Sequence, residues 1–495
     1  MNHAGIWSDA PSPASFAGYG EGAPLDVSDI DPAAIAARFR DGTIHDLGDA
    51  LARVGNCAHP IRLRGSSHTV DRTTGEILSA FDSRHLPGQE LHVPCGNRRA
   101  SKCPACSRVY ARDTFELIRA GVAGGKQVPE SVADNPMVFL TLTAPSFGHV
   151  HSTRGGKRCR PRDGHRCEHG RPVGCMATHT DGDPAVGAPI CPGCYDLDTA
   201  IVWQWFAPEL WRRFTMAMRR AVAARLGLPE SRLKDAARVQ YAKVAEPQRR
   251  GAIHFHALIR LDGPADHGIG APAPKTITAA TLADLAQQAA RQVVYTAPPV
   301  DADDRARLLR FGAQVDAHAV RTGSRTDAPG EHLSAEQVAG YIAKYSTKDA
   351  GTSSAAGYHL RVMEAHCESL HARAVAAQGE ESPYLLLRKW AHMLGFRGHF
   401  SSKSRCYSVT LGSLRRARHR WQQLAAESRR TGEPLDTADL ERRLLADEDE
   451  DTMLVVGSWA YVGSGWRNES EEALALAAAG RAREYQQWRS EQKTR

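Results

Sequence analysis

Residues 251–261, GAIHFHALIRL, decide the fold. His254 and His256 alternate there with Ile253, Phe255 and Ala257. In an extended strand a period of two sends both imidazoles to one face and the apolar side chains to the other. Residues 238–245 read as a second strand and PQRRG (247–251) as the connection, giving an antiparallel hairpin. Paired imidazoles on a strand can chelate a divalent ion. Across the hairpin Glu246 stands roughly opposite His254, which makes it the first candidate for a third ligand, with Gln248 its rival. An imidazole–carboxylate set suits Mn²⁺, allows Mg²⁺ with waters completing the shell, and would also accept zinc.

Working outward, residues 341–348, YIAKYSTK, supply two tyrosines four apart, each followed three positions later by a lysine. In a helix over 334–348, Tyr341 and Tyr345 share one face and Lys344 and Lys348 a neighbouring line. A phenol has a pKa near about 10, so it needs a nearby cation or metal before it can attack phosphorus. Residues 137–144, MVFLTLTA, form another strand, stopped by Pro145, and 311–320 a further one. Helices are expected at 32–40, 108–120, 207–226, 281–294 and 384–394. The pattern predicts an α+β fold with a central antiparallel sheet flanked by helices. Trp203, Trp205 and Trp211 read as packing residues.

The chain has 495 residues, 42% of them hydrophobic, and a net charge of +7. That length implies two or three domains, and the charge favours a polyanionic partner. No apolar run reaches membrane-spanning length and the N-terminus does not resemble an export signal, so a cytoplasmic protein is expected. Five segments are expected: a loosely ordered lead-in (1–50), a cysteine-rich basic module (51–120), a core (136–350) with an insertion at 147–200, a basic extension (351–425), and an acidic, helical tail (426–495). The stretch 388–423 holds nine Lys/Arg and no Asp or Glu. No G-x-x-x-x-G-K-[ST] loop is present, so ATP-driven unwinding must come from a separate host helicase.

Nine of the 11 cysteines fall between Cys57 and Cys194. In a chain without an export signal, such short spacings indicate structural Zn²⁺ rather than disulfides. Cys57, Cys95, Cys103 and Cys106 give one four-ligand set. Cys159, Cys167, His169, Cys175, His179, Cys191 and Cys194 are too many for one tetrahedral ion, so some are spare or two ions are present. Another reading joins the two CxxC pairs, Cys103–Cys106 and Cys191–Cys194, in a single ribbon. Arginines and lysines crowd the second group (Arg154, Lys157, Arg158, Arg160, Arg162), as phosphate contacts do.

The order FLTLTAPS, HFHALI, YIAKYSTK resembles the three motifs of the HUH endonucleases, and the doubled YxxKYxxK is similar to their two-tyrosine class. Together with CPACSRVYARD, CPGCYD and APELWRRF, the constellation resembles replication initiators of actinobacterial conjugative plasmids and integrative elements, over about residues 55–425. The resemblance implies a ferredoxin-like, five-stranded antiparallel core, with the histidines on a central strand and the tyrosine helix against it. It implies His254 and His256 as ligands of a catalytic Mn²⁺ or Mg²⁺, Tyr341 and Tyr345 as nucleophile candidates, and Lys344 and Lys348 as phosphate- or metal-site partners. It also implies nicking of one strand of origin DNA, single-stranded or hairpin at the nick, through a 5′-phosphotyrosyl bond, with later rejoining during rolling-circle replication. The same residues would serve an HUH transposase or a conjugative relaxase. From another class, a non-catalytic zinc-stabilised DNA-binding regulator, or an RNA-binding zinc module, accounts for the cysteines and the charge but not for the tyrosines.

Overall fold

The computed structural model describes residues 31–162, 164–320, 335–346, 357–435, 440–446 and 453–494. Lys348, the stretch 321–330, the acidic run 447–451 and the side chain of Tyr345 lie outside the described residues. In chain order the elements begin with α1 (Pro32–Arg40), α2 (Ile44–Arg53), β1 (Ile61–Asp71), β2 (Ile77–Asp82), β3 (Leu91–Val93) and α3 (Pro104–Ala123). There follow β4 (Met137–Leu142), α4 (Leu197–Arg225), β5 (Arg238–Pro247), β6 (Ile253–Asp262), α5 (Ala279–Gln292), β7 (Tyr295–Ala297), β8 (Arg307–Leu309) and β9 (Val315–Ala319). The last are α6 (Ala335–Ser346), α7 (Gly357–Gln378), β10 (Ser401–Lys403), α8 (Leu411–Thr431), α9 (Leu440–Leu445), β11 (Met453–Ser464) and α10 (Glu469–Thr494). They fall into two compact units, one from Met1–Arg112 with Ala438–Arg495 and one from Asp113–Thr437.

The larger unit is built on an open, five-stranded antiparallel sheet in the order β10-β5-β6-β4-β9, so the histidine strand is central. The period-two pattern of β6 sorts its two faces. Ile253, Phe255, Ala257, Ile259 and Leu261 pack with Leu140 and Leu142 beneath α4, where Trp203, Trp205, Trp211 and Phe214 are buried. Both inner indoles are satisfied, Trp203 donating to the Arg310 carbonyl at 2.8 Å and Trp205 to that of Pro383 at 3.0 Å. On the other face Leu258, Val244, Met137 and Phe139 meet Leu117, Ile118 and Val122 of α3 and Val338, Ala339 and Ile342 of α6. The tyrosine helix therefore covers the face that carries the imidazoles.

Several elements differ from the sequence expectation, among them strand β11, which lies within the tail expected to be helical. Helix α4 starts at Leu197, ten residues before the expected 207, with the Asp196 side chain accepting from the Thr199 amide at its N-cap. Residues 200–207 are buried on every side, so no amphipathic stripe marks that turn of the helix. Helix α7 lies in the basic extension where no helix was expected before residue 384, and 384–394 forms a turn with a short 3-10 helix, Arg388–Met393, rather than an α-helix.

In the smaller unit β1 pairs antiparallel with β11 along its length and with β2 and β3 at its two ends. Gly65 is required where β1 crosses β11. Its φ is +152°, and a Cβ there would lie 1.9 Å from the Ser458 carbonyl oxygen. Leu47, Leu51, Val54, Trp466 and Ala475 form this unit's core around the first cysteines, and the Trp466 indole donates to the Cys57 carbonyl at 2.9 Å. No described helix is long and apolar enough to cross a membrane.

Candidate active site and metal centres

His256 is the best-anchored residue of the sheet site. Register places it opposite Thr141 on β4 and Val244 on β5. Its Nδ1 lies 3.1 Å from Thr141 Oγ1 and its Nε2 2.8 Å from Glu246 Oε2. If Nδ1–H donates to the threonine, Nε2 is left facing the carboxylate as the free lone pair a metal takes. Phe139 stacks on the His256 ring, 5.8 Å between centroids and 6° between planes, and fixes its tilt. His254 pairs directly with Glu246 across the hairpin, its ring centroid 6.0 Å from that of His256. Burial, then the neighbouring His256 ring and Arg250, push the His254 pKa down to about 4, so it is neutral, the form that binds metal.

The donor set fits a divalent ion. An octahedral ion with bonds of about 2.1 Å sets adjacent ligand atoms about 3 Å apart, close to the 2.8 Å between His256 Nε2 and Glu246 Oε2. His254 is turned 74° from His256, and, unlike the Cys/His groups below, the three donors are not gathered within 4.8 Å of one another. Gln248 is engaged elsewhere: its Oε1 accepts from Arg250 Nε at 3.0 Å, while the same guanidinium donates to the Ala144 and Pro145 carbonyls, both at 3.0 Å. These bonds pin the hairpin turn to the end of β4.

Tyr341 stands over this face. Its ring meets His256 edge-on at 5.2 Å between centroids and Phe139 at 5.7 Å, and it is 40% exposed. Lys344 is exposed one turn further along α6. Tyr345 belongs to the same helix.

Among the described residues, twelve Cys and His residues gather in three groups that could hold metal ions, the donors of each within 4.8 Å of one another. The first is Cys57, Cys95, Cys103 and Cys106. Cys57 and Cys103 sulfurs are 3.8 Å apart, and the Cys95 amide donates to Cys57 Sγ at 3.3 Å. The second is Cys167, His169, Cys191 and Cys194, with 3.6 Å between the Cys167 and Cys191 sulfurs. The third is His151, Cys159, Cys175 and His179, with 3.2 Å between the facing imidazole nitrogens. A tetrahedral ion with thiolate bonds near 2.3 Å sets sulfurs about 3.8 Å apart, and such gaps are far beyond the roughly 2.05 Å of a disulfide. The two CxxC pairs therefore do not share one ribbon. All seven residues expected as ligands in the insertion fall within these two groups.

Sequence reasoning missed four residues. His151 is the eighth donor, completing two groups of four in the insertion, a shortfall visible in the count of seven. Asp183 takes His179 Nδ1 at 2.6 Å and leaves Nε2 toward the group. Thr141 is the one polar side chain of β4, on the face of the imidazoles, and only the strand register shows it beside His256. Asp316 lies opposite Thr141 on β9, and its charge favours a protonated His254 against burial.

A family model described as RepSA, replication initiator protein, pSAM2, matches residues 43–480. A "Replication initiator protein" of Streptomyces ambofaciens is 40% identical over 464 residues, covering 91% of this chain and 94% of the relative. No solved structure matches the chain. With both the metal-binding groups and the histidine strand inside the matched span, the chain belongs to the RepSA family of replication initiator proteins.

Proposed function

We propose that this chain is a DNA-nicking and strand-joining enzyme that starts rolling-circle replication at its own origin. The observation that carries this reading is the placement of the Tyr341 ring 5.2 Å from that of His256, on the sheet face shared with His254 and Glu246. A divalent ion, Mn²⁺ or Mg²⁺, held by His256, Glu246 and His254 would stabilise negative charge on the scissile phosphate. Thr141 holds the His256 ring in its tautomer, and Phe139 holds its tilt. Tyr341 gives up its phenolic proton to solvent and attacks phosphorus. The bond from phosphorus to the 3′-oxygen breaks as the 5′-phosphotyrosyl bond forms, and the 3′-oxygen gains a proton to become the primer hydroxyl. The ester keeps the energy of the cleaved bond, so that hydroxyl can later reverse the step. Tyr345, one turn along α6, is the second nucleophile, and Lys344 and Lys348 neutralise phosphate oxygens.

In this reading the three Cys/His groups hold Zn²⁺ in closed, structural sites. The cationic insertion and the arginines of α8 grip the phosphate backbone of origin DNA. A host helicase opens the duplex. The test incubates full-length protein with a labelled single-stranded origin oligonucleotide and Mn²⁺, then looks for an adduct stable to SDS. Each of Y341F and Y345F should weaken the adduct and the double variant should lose it. H254A/H256A should cut cleavage roughly 100-fold or more while DNA affinity persists, because phosphate contacts dominate affinity. An undiminished adduct in Y341F/Y345F defeats the proposal.

A further inference from the structure

Gln204 is the one polar side chain in residues 200–207, the part of α4 that is buried on every side. It is 1% exposed. A buried amide is costly unless its donor and its acceptor are both used. Here both go to one place. Gln204 Nε2 donates to the Gly251 carbonyl at 2.7 Å, and its Oε1 accepts from the Ile253 amide at 3.0 Å. Those two backbone groups belong to the turn that joins β5 to β6. The ladder to β4 stops at Leu142↔Phe255, short of Ile253. A side chain of α4 thus supplies the acceptor that a longer β4 would have offered.

Apolar packing closes the same turn. Gly251 holds φ at +82°, and a Cβ there would meet Met363 Sδ at 2.7 Å and Leu394 Cδ1 at 2.9 Å. Gly251, Ala252 and Ile253 are all buried, so bulk water does not stand in for the amide. Glu246 and His254 leave this turn as a cross-strand pair, with Pro247 and Ile253 the pair before them. On the reading that Glu246, His254 and His256 hold a divalent ion, we propose that Gln204 is a positioning residue of that site. It acts through the turn: the amide fixes Gly251 and Ile253, and the turn fixes the spacing of the Glu246 and His254 donors. The work needs an amide, since a carboxylate has no proton to donate to Gly251 and an ammonium cannot accept from Ile253. For packing alone, an apolar side chain of the same length would serve α4 without two bonds to satisfy.

The test titrates Mn²⁺ into the zinc-loaded full chain and follows the free ion by electron paramagnetic resonance. H254A/H256A should lose the tight Mn²⁺ site. Q204M should keep it with a dissociation constant raised roughly 10-fold or more, as loss of an outer partner does. Its cleavage should fall when Mn²⁺ is limiting and return to the wild-type rate when the ion is saturating, with KM for the origin oligonucleotide unchanged. Should circular dichroism show Q204M unfolded, Q204N takes its place. Its amide is too short to reach both groups, so it should weaken Mn²⁺ binding in the same direction. A folded variant that binds Mn²⁺ as the wild type does, whatever its melting temperature, overturns the role of Gln204 alone. Mn²⁺ binding that H254A/H256A leaves intact overturns the ion site itself, and this inference with it.

Discussion

Thr141 shows how one hydroxyl can set the chemistry of an imidazole. It holds Nδ1 of His256 at 3.1 Å and so leaves Nε2 to face Glu246. T141V keeps the shape and loses the acceptor. It should lower metal-dependent cleavage roughly 10- to 100-fold, as loss of an outer partner of a ligating histidine does, with little change in melting temperature. Cleavage rates and melts of the two proteins check this. His254 gives a pH prediction. Its folded pKa is about 4, below the ordinary value near 6.5, so between those limits the unfolded chain binds the proton that the folded chain refuses. Stability from this residue is present above about 6.5 and falls as pH drops toward 4. In chelator, H254N should lose less stability than wild type over that window by thermal unfolding, and identical slopes would contradict the assignment. The histidine pair and Glu246 were legible from alternation and hairpin length. Thr141 was not singled out, because a threonine in a strand is ordinary until its neighbour across the sheet is known.

At the scale of elements, what could be read depended on whether the signal was local. The hairpin and the tyrosine helix carry their own periodicities, and both sit near their expected bounds. Helix α7 carried one too: Leu360, Met363, Cys367, Leu370 and Ala374 are spaced by threes and fours and are buried. Strand β11 had no such chance, since its partner β1 lies almost 400 residues earlier in the sequence and an acidic run and an Ala-rich helix flank it. Among its described residues the insertion between β4 and α4 has no α-helix or extended strand, only isolated bridges such as Val150↔Pro189 and Arg160↔Cys175 and two short 3-10 turns. Its order is therefore expected to come from its two Cys/His groups that could hold metal ions. H151S should release about one equivalent of bound zinc and open residues 149–195 to protease, while the five-stranded sheet keeps its melting temperature. Zinc content and limited proteolysis read both effects, and an intact, protease-resistant insertion in H151S would remove His151 from the ligand set.

At the scale of the whole molecule, family membership and fold rest on separate observations. The matched span runs through both compact units, and the open sheet with its central histidine strand follows from the alternation in one eleven-residue stretch. The step from initiator family to phosphotyrosyl chemistry rests on α6 lying across that strand. The most direct measurement is mass spectrometry of the covalent adduct after nuclease digestion. The account predicts a nucleotide 5′-phosphate on the peptides containing Tyr341 or Tyr345 and on no other. A nucleotide found on any residue outside α6, or cleavage with no protein-linked nucleotide at all, would contradict it.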